Sequence, residues 1–135
     1  MFTQDCFISK NTTKLRKGLR KLGYLDNTAF NHNKNLIATL GGDYYTYHNF
    51  GYFYNMRSDS YIRKCIDCGT NEKLFLAIAA LQDDTDVNQW FTDGKTWKNC
   101  MLAKCDIDSW HRWFGFGPIG VHKATVRELI EHFKN

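Results

Sequence analysis

The chain predicts an α+β fold: a mostly antiparallel sheet with about three helices packed on it, in a single domain spanning residues 1–135. Three observations lead there. A capped, amphipathic helix pattern occurs three times, each time after an extended stretch. Runs of β-prone residues broken by glycine turns lie between those patterns. No linker or low-complexity tract divides the 135 residues, a length that suits one domain able to bury its own core.

The first helix pattern follows DCFISKN and reads TTKLRKGLRKLGY. With a cap expected at Asn11, Leu15 and Leu19 share one stripe, and Arg16, Lys17, Arg20 and Lys21 cover the opposite face. The second follows YIRKCIDCGT and reads NEKLFLAIAAL; with a cap expected at Thr70, Leu74 and Ile78 take the corresponding places. Phe75 and Leu76 sit off that stripe, so this helix is apolar almost all round and is predicted to be the central, buried one. The third follows IGVHKAT and reads VRELIEHFKN, with Thr125 and Glu128 at capping-box spacing and Val126, Leu129, Ile130 and Phe133 expected to face inward. Between the first two, NLIATLGGDYYTYHNFGYFYNM holds β-prone runs about a Gly-Gly-Asp turn. QWFTDGKTWKNCM is the clearest hairpin, with Asp93-Gly94 expected as a two-residue turn. WFGFGPIGV, rich in glycine and aromatics, is expected as an edge strand or loop.

Composition excludes several classes. Hydrophobic residues at 43% and charged residues at 24% are those of a soluble globular protein. No apolar run approaches the roughly 18 residues of a membrane span, so no membrane association is expected. The start, MFTQDCFISK, lacks a basic region followed by an apolar one, and five cysteines without a secretory signal point to reduced thiols in a cytoplasm. The net charge of +4 is unevenly placed: residues 1–70 carry ten Lys and Arg against five Asp and Glu, residues 71–135 eight against nine. That excess favours an anionic partner for one surface.

Motifs for metal or catalytic chemistry are incomplete. CIDCG has the spacing of half a zinc knuckle, but the other close pair, Cys100 and Cys105, is spaced differently, so no metal is expected. A redox pair needs its nucleophilic cysteine at a helix start, whereas Cys65 is expected in a strand. Cys65 and Cys68 therefore read as small residues buried at a strand end. In DDTDVNQW, Asp84, Asp86 and Asn88 fit positions 1, 3 and 5 of a calcium loop, but Gln89 and Lys95 stand where glycine and glutamate are needed, which leaves a solvated linker. There is no P-loop, G-x-S-x-G or H-E-x-x-H, and nothing marks a nucleophile or base, so neither a cofactor nor an enzymatic activity is expected.

What remains is basic and aromatic. SWHRWFGFG concentrates Trp110, His111, Arg112 and Trp113, and the extended region adds Tyr45, Tyr47 and Arg57. Aromatic faces stack on bases and Arg neutralises phosphate, so these seven are the candidate ligand-binding residues for a small anionic, nucleotide-like molecule. Arg16, Lys17, Arg20 and Lys21 form a separate basic surface that suits nucleic acid. The competing reading is structural: solvated basics on the first helix and aromatics that fill one face of a sheet.

MFTQDCFISKNTTKLRKGLRKLGY, IDCGTNEKLFLAIAALQDDTD with QWFTDGK, and HKATVRELIEHFK together resemble a family of uncharacterised small proteins encoded by phages and mobile elements of gut Bacteroides-type bacteria. The resemblance covers about half of the chain and brings no activity or site residue with it. It implies a setting: a short accessory protein in the cytoplasm of a bacterial host. In that setting the expected function is counter-defence, by binding and sequestering a nucleotide-derived signal without turnover. The alternatives are a nucleic-acid or nucleoprotein binder using the basic helix, and a protein–protein inhibitor of a host defence component. A host protein and a second copy of the chain are thus further candidate partners.

Overall fold

The computed structural model describes residues 2–26, 35–40, 52–54, 64–100 and 120–134. In chain order the elements are β1 (Cys6–Ile8), α1 (Thr13–Leu22), β2 (Leu25–Asp26), β3 (Ile37–Leu40), β4 (Tyr52–Tyr54), β5 (Ile66–Asp67), α2 (Glu72–Ala79), β6 (Trp90–Thr92), β7 (Trp97–Asn99), β8 (His122–Lys123) and α3 (Val126–Phe133). The α+β class holds. The expected single, mostly antiparallel sheet is instead two sheets, ordered β2-β4-β3-β1-β5 and β7-β6-β8. The second is antiparallel throughout; the first is mixed, because β2 runs parallel to β4 and β1 parallel to β5.

Each helix starts where a side chain can satisfy its first free amides. For α1 the cap is Thr12, not Asn11: its hydroxyl accepts from the Leu15 N–H at 3.2 Å, while the Asn11 carboxamide is taken by Arg16. Leu15 and Leu19 face inward and are fully buried. The helix stops at Gly23, whose φ of 110° lets the Gly23 and Tyr24 N–H groups turn back onto the Arg20 and Leu19 carbonyls. The α2 cap is Asn71, not Thr70. Its oxygen accepts from the Leu74 N–H at 3.1 Å, and its nitrogen donates to the Phe133 carbonyl at 2.6 Å, which ties the start of α2 to the end of α3. For α3 the Thr125–Glu128 capping box is formed as its spacing predicts, but of the four residues expected inward Leu129 alone is fully buried and Ile130 is exposed.

Helix α2 is the central one, packed by α1, α3 and β1. Leu74, Phe75, Ala77, Ile78 and Ala79 are buried, and with Ile8, Leu15, Leu19, Ile37, Phe53 and Leu129 they form the main core. Gly18 of α1 allows the close approach to α2, because a Cβ there would lie 3.1 Å from Leu76 Cδ2. Tyr24 enters the same core with its hydroxyl donating to the Ala79 carbonyl at 2.7 Å and its ring stacked on Phe2. Burial raises its hydroxyl pKa, and Cys6 adds to the shift.

The cysteines divide. Cys65 immediately precedes β5 rather than lying in it and is only half-buried, so of the two Cys68 alone, just beyond the strand, is buried as expected. Cys6, on β1 beside them, has its thiol pushed well above its usual pKa by burial first and by Cys68 next. That makes Cys6 a poor nucleophile, in keeping with a packing residue. Cys100 is disulfide-bonded, which corrects the expectation of five reduced thiols. Cys100 itself is buried against Phe91.

Candidate ligand-binding cleft

The second sheet faces the helices through one side of each strand. Antiparallel register sets Trp90 opposite Asn99 and Thr92 opposite Trp97, so these four share a face. Phe91 points the other way, into a small cluster with Cys100 and Val121. The β6–β7 hairpin forms where the sequence predicts it, but its connection is the four residues Asp93–Thr96 rather than a two-residue turn. The Asp93 carboxylate accepts from the Lys95 and Thr96 N–H groups at 2.9 and 2.8 Å and draws both out of the ladder. Those two hydrogen bonds, Thr96 first, hold the Asp93 pKa below its usual value.

Between this face and the helices lies a cleft of about 390 Å3. Leu76, Ala77 and Ala80 of α2 form one wall, Trp90 and Asn99 the opposite one, and Leu22, Phe133, Asn88 and Lys73 complete the lining. Residues 73, 76, 77 and 80 are one face of α2 at helical spacing, and the two alanines on it leave room beside the tryptophan. The Trp90 ring meets Phe133 edge-on at 5.3 Å, and Trp97 stacks on His132 at 4.0 Å nearby.

The loop that leads into β6 is built to hold its shape. Gln89 is only 1% exposed. Its carboxamide nitrogen donates to the Ala80 and Val87 carbonyls at 2.6 and 3.0 Å, and its oxygen accepts from the Gln82 N–H at 3.1 Å. Lys123 of β8 donates to the Gln82 and Thr85 carbonyls at 3.1 and 2.8 Å and lies 3.6 Å from Asp86. The stretch expected as a solvated linker therefore does expose Asp83, Asp84 and Asp86, but it is strapped to the fold at both ends. Its last turn places Asn88 at the cleft.

Chemically the cleft offers an apolar floor that includes a tryptophan face, with polar groups at its edge. Lys73 is exposed and has no ion-pair partner among the described residues. The Asn99 nitrogen donates to the Asn88 backbone carbonyl at 3.2 Å, which leaves the Asn99 side-chain oxygen toward other donors. A flat ring of modest size with an attached anion matches that combination.

Trp110, His111, Arg112, Trp113, Tyr45, Tyr47 and Arg57 lie outside the described residues, as do the Gly-Gly-Asp turn and most of WFGFGPIGV. The basic surface of α1 is present but unequal. Arg16 donates to Asn11 and Thr13, and Arg20 is paired with Asp26 and lies 6.0 Å from the Phe53 ring centre. Lys17 and Lys21 are the exposed cations of that face without an ion pair among the described residues. Lys73 and Asn99 carry no motif and Asn88 belongs only to the incomplete calcium pattern, so as a group they could be found only by placing α2 against β6 and β7. Among the described residues no group of three or more His, Cys, Asp or Glu is arranged to hold a metal ion, and no helix is long and apolar enough to cross a membrane. No protein-family model, curated protein or solved structure matches the chain.

Proposed function

We propose that the protein binds a small, anionic, ring-bearing molecule of nucleotide type in the cleft between α2 and the second sheet, and holds it without turnover. The observation that carries this reading is the joining of a mainly apolar, Trp90-lined cleft with Lys73 in its lining, a cation without an ion-pair partner among the described residues. Its volume falls near the lower end of the roughly 300–1,000 Å3 of small-molecule sites, which suits one nucleotide unit better than a cyclic oligonucleotide. The setting implied by the family resemblance makes the role counter-defence in a bacterial cytoplasm, through sequestration of a nucleotide-derived signal. Nucleic-acid binding by α1 has less to rest on, since two of its four basic side chains already serve intramolecular contacts. Inhibition of a host protein through the aromatic segment at Trp110–Trp113 rests on residues outside those described.

The reading is tested by titrating mononucleotides, cyclic nucleotides and ADP-ribose into the protein while following tryptophan fluorescence. Quenching that saturates at one ligand per chain is expected. Lys73→Glu should weaken it about tenfold or more by reversing the charge that meets the phosphate. Saturable binding that Lys73→Glu and Trp90→Ala both leave unchanged would place any site elsewhere and overturn the assignment to this cleft.

A further inference from the structure

Among the described residues, Asn88 is the one non-glycine residue with a positive φ, 64°. Asparagine tolerates that conformation better than most residues, yet glycine adopts it with less strain. The backbone at Asn88 is fixed from both sides: its N–H donates to the Cys100 carbonyl, and its own carbonyl accepts from the Asn99 side chain. The carboxamide of Asn88, in contrast, makes no hydrogen bond to any described residue and belongs to a residue lining the cleft. A rigid turn thus carries an unengaged donor and acceptor into the candidate site.

Asn99 adds a second acceptor. A backbone carbonyl can only accept, so the Asn99 atom 3.2 Å from the Asn88 carbonyl is its nitrogen, and its oxygen is the free end. The lining of the cleft therefore includes two uncommitted carboxamide oxygens and one uncommitted carboxamide NH2 group, together with the Trp90 and Phe133 side chains. Adenine fits that inventory. Its exocyclic amino group has two N–H donors, one for each oxygen, and the adjacent ring nitrogen accepts from the Asn88 nitrogen, the paired contact by which Asn selects adenine. A 6-oxo purine keeps the ring acceptor but turns a carbonyl oxygen toward the same two oxygens and loses both amino-group contacts.

We propose that Asn88, supported by Asn99, reads the edge of an adenine base, so that the cleft takes adenine nucleotides in preference to 6-oxo purine nucleotides. This rests on the reading of the cleft as a nucleotide site. The test compares adenosine monophosphate with inosine monophosphate, which carries oxygen in place of the amino group, by isothermal titration against the wild-type protein, Asn88→Gly and Asn88→Asp. Wild-type protein should bind adenosine monophosphate about tenfold or more tightly than inosine monophosphate. Asn88→Gly should lose about tenfold in affinity for adenosine monophosphate without a fall in Tm, since φ of 64° suits glycine. Asn88→Asp, which keeps size but replaces the donor by a charged acceptor, should lose at least as much. Equal binding of the two nucleotides by wild-type protein, or unchanged binding by Asn88→Gly, would overturn the adenine assignment and leave the nucleotide reading standing. Binding of neither nucleotide by the wild-type protein would overturn the adenine assignment, and the nucleotide reading with it if cyclic nucleotides and ADP-ribose also fail to bind.

Discussion

Gln89→Met removes both hydrogen-bonding ends of a buried side chain while keeping about the same length. Gln89 is 1% exposed and makes three hydrogen bonds, to the Ala80 and Val87 carbonyls and from the Gln82 N–H. The Ala80 carbonyl, belonging to a residue that is itself buried, would lose this partner at about 1–3 kcal/mol. The Gln82 and Val87 groups lie nearer water and would cost about 0.5–1 kcal/mol each. The total, about 3 kcal/mol, corresponds to a fall in Tm of about 10 °C for a chain of this length. Equilibrium urea unfolding followed by tryptophan fluorescence, with a thermal melt by circular dichroism, measures both quantities. A loss below about 0.5 kcal/mol, the size of an ordinary surface substitution, would refute the claim that this carboxamide holds the 82–89 loop against the end of α2.

Asn71→Ala should cost about 1–2 kcal/mol in urea unfolding, because it removes the α2 cap and the bond to the Phe133 carbonyl together; Asn71→Ser should recover only the cap. Gly18→Val should destabilise by about 1–3 kcal/mol through the 3.1 Å approach to Leu76, whereas Gly18→Ala should be near neutral, its clash offset by better helix propensity; equal effects would refute the close-packing argument. His122 donates to the Gly120 carbonyl at 3.0 Å and to Glu128 at 2.8 Å, and these two contacts raise its pKa above 6.5, Gly120 first. Glu128 is opposed by desolvation, but its Thr125 and His122 hydrogen bonds prevail and lower its pKa below 4.5. The His122 contribution is complete below pH 6.5 and lost as pH rises through its raised pKa; that of Glu128 is complete above pH 4.5 and lost as pH falls through its lowered pKa. Stability from this pair should therefore peak between those values, and His122→Ala should flatten the alkaline side of the denaturation profile above pH 6.5.

Helical elements were legible because each needs only local information. Leu15, Leu74 and Leu129 each fall four residues after the cap expected from sequence, and all three are buried. Two caps shifted by one residue, to Thr12 and Asn71, since neighbouring polar residues compete for the role and tertiary contacts decide. The loop length at Asp93 followed from a side-chain-to-backbone contact that outweighed the two-residue turn expected there. The parallel pairings of β1 with β5 and β2 with β4 leave no mark in a strand of two or three residues, for which hydrophobic alternation cannot fix direction. The cleft was illegible for a related reason. Its wall joins α2 positions 73, 76, 77 and 80 to Trp90 and Asn99, and only register and helix packing bring them together. Gln89 looked like part of a polar linker, and its burial follows from three partners that sequence spacing does not reveal.

A native mass spectrum of the purified protein, recorded before and after incubation with adenosine monophosphate, cyclic nucleotides and ADP-ribose, tests the central claim most directly. Sequestration in the cleft predicts an adduct of one nucleotide per chain that is weakened by Lys73→Glu and is released chemically unchanged on denaturation. No adduct with any of these nucleotides, or release of a hydrolysed product, would contradict it.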